Sequence, residues 1–187
     1  MGPTIEHLEI DGALLVRPAV FRDARGFFLE SWSASRFHEA GVDVAFVQDN
    51  HSRSVGGTIR GLHYQAFGPT GPEQVKLVRV ARGRIWDVIV DLRPASPTLG
   101  RWCGVELDDD AQAELLVPAG CAHGFAVLSE LADVLYKQST PYESRTERGI
   151  AWDDPGLAIP WPVATPVLSD RDRENPSFAD YLAGRSR

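Results

Sequence analysis

The feature that most constrains the fold of this chain is a series of short β-rich runs separated by glycine and proline. Residues 8–21 alternate loosely between apolar and polar types around a turn at Asp11-Gly12. Such runs recur about every 8 to 12 residues, which favours a β-sandwich or barrel over alternating strands and helices. The 17 glycines and 13 prolines supply the breaks. Later runs cover 102–107, 114–117, 125–128 and 134–137.

Local patterns extend this prediction to particular elements. The runs at 76–80 and 84–92 are joined by a short segment ending in Gly83, which predicts a hairpin with the glycine in its turn. Short helices are predicted at 33–40 and at 177–182. Because no repeat, linker or low-complexity tract divides the sequence, residues 1–187 are expected to form one domain.

Charge and cysteine content exclude several classes of protein. The formal net charge of −7 disfavours non-specific nucleic-acid binding, which requires a cationic surface. No apolar run approaches the roughly 20 residues of a membrane-spanning helix, and no signal peptide is visible at the N-terminus. With only two cysteines, Cys103 and Cys121, a disulfide framework is not expected. These features predict a cytoplasmic protein without nucleic-acid or membrane partners.

Two of the five histidines lie in glycine-containing stretches between strand runs, where a β scaffold often presents functional groups. They are His63, in the segment RGLHYQ, and His123, in PAGCAHGF. The second segment resembles a motif of the cupin superfamily of jelly-roll barrels. Many cupins bind metal through a His-x-His pair, but here Gln65 replaces the second histidine. Losing that ligand argues against a metal and leaves His63 available for proton transfer near neutral pH.

A closer resemblance extends along nearly the whole chain. The sequence is similar to the dTDP-4-dehydrorhamnose 3,5-epimerase family of deoxysugar biosynthesis. The similarity implies an all-β, cupin-type jelly-roll barrel with short peripheral helices and no cofactor. The matching blocks are FRDARGFFLE at 21–30, FVQDNHS at 46–52, RGLHYQ at 60–65, KLVR at 76–79, DVIVDLR at 87–93, SPT at 96–98, PAGCAHGF at 118–125, LYK at 135–137, WDDP at 152–155 and LSDRD at 168–172.

The resemblance implies proton transfer at two carbons beside a ketone. A dTDP-linked 4-keto-6-deoxyhexose is deprotonated at C5 and C3, and each carbon is reprotonated from the opposite face. The matching positions make His63 the base and Asp172 the carboxylate that orients it. Tyr136 becomes the acid on the other face, and Lys76 stabilises the enolate oxygen. Residue type alone favours other roles: an edge aromatic for Tyr136, a helix cap or a residue of a solvated turn for Asp172, and a strand-edge lysine for Lys76.

The family positions also imply a set of substrate-binding residues. Arginines would bind the diphosphate because their side chains form bidentate pairs with phosphate. Side-chain amides would read the nucleoside because each offers a donor and an acceptor. The resemblance further implies a homodimer in which N-terminal strands cross to the neighbour, so that Arg25 and Glu30 serve the partner's site. The expected substrate-binding set is Arg25, Glu30, Gln48, Asn50, Arg60, His123, Glu147 and Arg171.

Two departures from the family pattern leave open whether the enzyme inverts C3, C5 or both carbons. Pro141 precedes Tyr142 where many members have two adjacent tyrosines, and the loop at 71–74 differs from shorter forms. Both lie near the expected sugar pocket. One alternative is therefore a monofunctional 3- or 5-epimerase of an antibiotic deoxysugar pathway, which would share the same catalytic blocks. An alternative of another class is a cupin that binds a sugar nucleotide or a metal without catalysing epimerisation.

Overall fold

The computed structural model describes residues 2–66 and 74–184, so most of the loop at 71–74 lies outside the described residues. The strands are β1 (Thr4–His7), β2 (Leu14–Arg17), β3 (Val20–Asp23), β4 (Gly26–Leu29), β5 (Gln48–Val55), β6 (Ile59–Gln65), β7 (Lys76–Arg82), β8 (Arg84–Asp91), β9 (Trp102–Asp108), β10 (Glu114–Val117), β11 (Cys121–Val127), β12 (Leu131–Gln138) and β13 (Glu147–Gly149). The helices are α1 (Ala34–Glu39), α2 (Asp170–Arg173) and α3 (Phe178–Gly184). Across the described ranges, every helix is too short or too polar to cross a lipid bilayer.

Two antiparallel sheets form a jelly-roll barrel, which confirms the predicted fold class. The large sheet has the order β1-β2-β10-β7-β12-β5, and the small sheet has the order β13-β6-β11-β8-β9. Val78 and Val134 of the large sheet pack with Ile89 and Phe125 of the small sheet in the main hydrophobic core. Burying each such side chain contributes about 1.5–3 kcal/mol to stability. The polar cavity described below opens between the same two sheets.

The predicted hairpin around Gly83 is wrong. Strands β7 and β8 belong to different sheets, so the chain crosses from one wall of the barrel to the other at this glycine. Gly83 has a φ of 82°, and a Cβ there would lie 2.2 Å from the carbonyl oxygen of Leu131. Glycine is therefore required for close packing in a corner. A turn signal in sequence does not distinguish a hairpin from such a corner, because both need a left-handed residue.

The helices agree with the sequence prediction except for α2. The predicted helices at 33–40 and 177–182 correspond to α1 and α3. The unpredicted α2 is a single turn whose first backbone groups are capped by Ser169, which accepts a hydrogen bond from the Asp172 amide. This cap fixes Asp172 beside β6, where it becomes part of the candidate site.

Strands β3 and β4 form a separate two-stranded sheet with exposed aromatic side chains. Phe21, Phe27 and Phe28 are 58%, 50% and 70% exposed, respectively. Phe21 and Phe28 are opposite each other in the register and share one face, whereas Phe27 lies opposite Arg22 on the other face. Exposed aromatic side chains of this kind mark an interaction surface in many soluble proteins.

Candidate active site

A cavity of about 240 Å³ lies between the two sheets and brings together eight of the twelve predicted site residues. They come from both walls, because each strand directs alternate side chains inward. The eight are Gln48, Asn50, Arg60, His63, Lys76, His123, Tyr136 and Glu147.

His63 is paired with Asp172, which lies behind it. The Nε2 atom of His63 is 2.5 Å from the Oδ1 atom of Asp172. The Asp172 side chain is 4% exposed, whereas that of His63 is 25% exposed and lines the cavity. Burial acts to raise the pKa of Asp172, but the hydrogen bond and charge of His63 outweigh it and hold this pKa below its ordinary value. The carboxylate therefore stays ionised and orients the imidazole.

A second histidine–carboxylate pair lies beside the first. His123 of β11 is directly opposite His63 of β6 in the antiparallel register. Its Nε2 atom is 2.5 Å from the Oδ1 atom of Asp87, and both side chains are buried. Asp87 was not predicted as a site residue. Its inward position follows from the register, since Asp87 lies opposite Phe125 on the same face as His123.

Tyr136 and Lys76 occupy the opposite wall of the cavity, on β12 and β7 of the large sheet. Burial raises the pKa of the Tyr136 hydroxyl above its ordinary value, although the charge of Arg60 partly counters this effect. Burial lowers the pKa of Lys76 to about 8, while Glu147 and Asp87 act in the opposite direction. The lysine ammonium is thus poised to lose its proton in mildly alkaline solution.

Glu147 joins the rim of the cavity to α2. It accepts a hydrogen bond of 2.7 Å from the Tyr142 hydroxyl and forms an ion pair with Arg171. Burial acts to raise the pKa of Glu147, but these two hydrogen bonds outweigh it and lower the pKa. Arg171 is therefore held at the site through Glu147 and does not itself line the cavity.

Arg60, Gln48 and Asn50 are also held in place by hydrogen bonds. The Nε atom of Arg60 donates to the Ser54 hydroxyl at 2.9 Å. The Gln48 amide donates to Asn50 Oδ1 at 3.0 Å and accepts from the backbone N–H of Tyr142 at 2.9 Å. Asn50 Nδ2, in contrast, is buried without a partner among residues 2–66 and 74–184.

Arg25 and Glu30 do not reach the cavity of their own chain. Arg25 lies in the turn between β3 and β4, where its exposed side chain pairs with Asp23 at 2.5 Å. Glu30 pairs with Arg36 of α1 at 3.2 Å. Within one chain, Arg25 and Glu30 therefore pair with residues outside the cavity and lie apart from the predicted binding residues that line it.

Several cavity residues were missed by the sequence prediction. Ser52 follows Gln48 and Asn50 in the same alternating series on β5, and Gln138 follows Tyr136 on β12, so strand periodicity could have indicated both. Gln74 and Tyr142 come from irregular segments; the family resemblance placed both segments near the sugar pocket, but neither residue was predicted as a binding residue.

Gln65, the residue that replaces the second cupin histidine, also lines the cavity. Its amide donates to the Glu143 carbonyl at 2.6 Å and to the Thr146 hydroxyl at 2.5 Å. Gln65 therefore secures the loop before β13. In the described part of the chain, no three His, Cys, Asp or Glu side chains converge as metal ligands.

Fold and site together define a class of protein. A jelly-roll barrel presents a carboxylate-oriented imidazole on one wall and a tyrosine hydroxyl with a lysine on the other. This arrangement supplies a base, an acid and a cation around one small space, which is what proton transfer beside a carbonyl group requires.

Comparisons with known proteins place the chain within that class. It matches the family model for dTDP-4-dehydrorhamnose 3,5-epimerase over residues 7–180. An enzyme of that name from Pseudomonas aeruginosa is 49% identical over 175 residues, covering 92% of this chain and 94% of the relative. The chain therefore belongs to the dTDP-4-dehydrorhamnose 3,5-epimerase family of isomerases, as the sequence motifs predicted.

Solved structures show the same relationship. The crystal structure of the Bacillus anthracis 3,5-epimerase, with TDP and PPi bound, has a TM-score of 0.90 and 45% identity, covering 95% of this chain and 100% of that chain. A 4-keto-6-deoxy sugar epimerase from the novobiocin gene cluster of Streptomyces spheroides has a TM-score of 0.92 and 37% identity. It covers 99% of this chain and 92% of its own.

Proposed function

We propose that this protein inverts C3 and C5 of dTDP-4-keto-6-deoxyglucose by proton transfer through an enolate. The observation that carries the proposal is that His63, which Asp172 orients from behind, lines the same cavity as Tyr136 and Lys76, which come from the opposite sheet. A base and an acid on opposite walls can act on opposite faces of one sugar ring. Inversion requires that geometry, because a proton removed from one face must be replaced from the other.

The hydrogen bond to Asp172 determines which nitrogen of His63 acts as the base. Because Nε2 donates to the carboxylate, the free lone pair is on Nδ1. Nδ1 takes the proton from the carbon beside the ketone, and the electron pair moves to the C4 oxygen. The Lys76 ammonium holds that oxygen as an enolate. Tyr136 then donates its hydroxyl proton to the opposite face of the carbon, and both groups recover their protonation state from solvent.

The comparisons support inversion at both C3 and C5 over inversion at one of them. The family model and the Bacillus anthracis enzyme both carry the 3,5-epimerase name, and among the solved structures that enzyme is more similar in sequence than the novobiocin-cluster epimerase, at 45% against 37% identity. The bound TDP in the Bacillus anthracis structure supports a thymidine diphosphate substrate. A metal-binding cupin is less well supported, since Gln65 stands in place of the second histidine and its amide bonds to Glu143 and Thr146.

A deuterium wash-in assay tests the proposal directly. The protein is incubated with dTDP-4-keto-6-deoxyglucose in D₂O, the ketone is reduced, and C3 and C5 are examined by NMR. We expect deuterium and inversion at both carbons. Label and inversion at one carbon would establish a monofunctional epimerase, whereas no label at either carbon would overturn the enzymatic proposal.

We also propose a single-domain homodimer completed by strand exchange. Arg25 and the exposed phenylalanines of β3 and β4 lie away from their own cavity, and β5 ends the large sheet with one edge unpaired within the described residues. A second copy's β3–β4 hairpin on this edge would bury the aromatic rings and bring Arg25 and Glu30 towards the diphosphate and nucleoside. Arg60 and Arg171 would complete the anion site from within the chain. Sedimentation equilibrium should give twice the chain mass of 20.5 kDa.

With two cysteines in 187 residues, the composition suits the reducing cytoplasm, where we place the enzyme.

The ionisation of Lys76 predicts an alkaline limit to activity. Because its pKa is lowered to about 8, the ammonium is present below that pH and is lost above it. We expect kcat/KM for exchange to fall as the pH rises through about 8. Lys76→Arg should move this limit upward, because arginine keeps its charge. The profile is measured from pH 6 to 10, with the enzyme-free rate subtracted. A wild-type profile that stays flat to pH 10 would rule out this role for Lys76.

A further inference from the structure

The two walls of the cavity differ in how their polar groups are satisfied. On the small sheet, His63 and His123 each bond to a buried carboxylate of the protein, and of the buried polar atoms in these two pairs only the second oxygen of Asp87, behind His123, has no partner in the described part of the chain. On the large sheet, three buried polar atoms that line the cavity have no hydrogen-bond partner among residues 2–66 and 74–184: Asn50 Nδ2, Ser52 Oγ and Gln138 Oε1. Leaving such atoms unpaired is unfavourable, and a ligand with hydroxyl groups could pair with them.

Gln138 is the member of this group that neighbours both Tyr136, two residues earlier on its own strand, and Lys76 on the adjacent strand. It lies on β12 two residues after Tyr136, so both side chains point into the cavity. The register places Gln138 directly opposite Lys76 on one side and Gln48 on the other. Directly opposed residues have Cβ atoms about 4.5–5.5 Å apart. The Gln138 side chain is thus a neighbour of the lysine, and the residue is only 5% exposed.

We propose that the side-chain oxygen of Gln138 accepts a hydrogen bond from the C3 hydroxyl of the sugar. This inference rests on the proposed function, in which Lys76 holds the C4 oxygen. An acceptor next to Lys76 then faces a substituent on a carbon adjacent to C4. Those carbons carry a hydroxyl at C3 and a methyl at C5, and only the hydroxyl can donate. Gln138 is therefore a specificity-determining residue that aligns the C3 side of the ring.

A hydrogen bond from the 3-hydroxyl to Gln138 would make the enzyme select substrates that carry this hydroxyl. A buried polar group that pairs with a substrate hydroxyl discriminates against an analogue without that hydroxyl, because the protein atom stays unpaired when the analogue binds. The wild-type enzyme should therefore prefer a 3-hydroxyl substrate over its 3-deoxy counterpart, and the preference should depend on Gln138.

The test measures deuterium exchange at C5, a position that both substrates share. The substrates are dTDP-4-keto-6-deoxyglucose and its 3-deoxy analogue, and the proteins are wild type and Gln138→Met. We expect wild-type kcat/KM for exchange to be about tenfold lower for the analogue. Gln138→Met should lose about tenfold with the full substrate and show no further loss with the analogue. A variant that retains the wild-type preference would overturn the proposal.

Two further variants separate this contact from a general disturbance of the cavity. Gln74→Met removes a neighbouring amide whose nitrogen donates to the Thr140 carbonyl at 3.1 Å, so the preference for the 3-hydroxyl should remain. Gln138→Glu keeps an acceptor and should also retain the preference, even if Gln138→Met folds poorly. Loss of the preference in either Gln74→Met or Gln138→Glu would overturn the proposal. Absence of exchange by the wild type with either substrate would instead refute the proposed function on which this inference rests.

Discussion

Replacing His63 with alanine is expected to abolish exchange at both C3 and C5, lowering kcat by about 10³-fold or more. The expectation follows from the assignment of a single base: His63 Nδ1 is the free nitrogen of an imidazole that Asp172 orients and whose cationic form it stabilises. Without it, neither carbon loses its proton at a useful rate. The measurement is the initial rate of deuterium incorporation at each carbon, followed by NMR in D₂O.

The controls for this experiment are two other histidines. His38 has an exposed side chain that pairs with Asp43 outside the cavity, so His38→Ala should leave both exchange rates unchanged. His123 lies directly opposite His63 and is the rival base. If His63→Ala still exchanged one carbon at a near-normal rate and His123→Ala did not, the His123–Asp87 pair would be the base for that carbon.

Replacing Tyr136 with phenylalanine is expected to separate proton removal from inversion. The variant keeps His63 but lacks the hydroxyl that donates from the other wall. A proton taken by His63 can still exchange with solvent and return to the same face. We therefore expect deuterium incorporation with retained configuration, and an inversion rate lower by about 10²-fold or more. Both rates come from the same NMR samples, since label and configuration are read at the same carbon.

Tyr142 provides the matched control for this variant. Its hydroxyl also lies at the cavity but donates to Glu147 at 2.7 Å. Tyr142→Phe should therefore change exchange and inversion in parallel, through substrate binding. Equal loss of exchange and inversion in Tyr136→Phe would show instead that Tyr136 acts in binding or in proton removal, and would contradict its assignment as the acid.

The sequence and the structure contributed different parts of the candidate site. Motif similarity indicated His63, Tyr136, Lys76 and Asp172, and the structure places the first three on one cavity with Asp172 behind His63. Asp87 was missed because aspartate in a buried strand has no motif of its own. Its importance appears only from the register that sets β8 beside β11.

The sequence by itself determined the family, the all-β class and most of the residues that face the cavity, because strand periodicity and motifs are local properties of the chain. Only the tertiary structure decided which strands are neighbours. Gly83 reads as a hairpin turn in sequence, yet it forms a corner between two sheets. Pairing between strands distant in sequence depends on how both faces bury apolar side chains together. That collective packing places Gln138 beside Lys76 and Asp87 beneath His123.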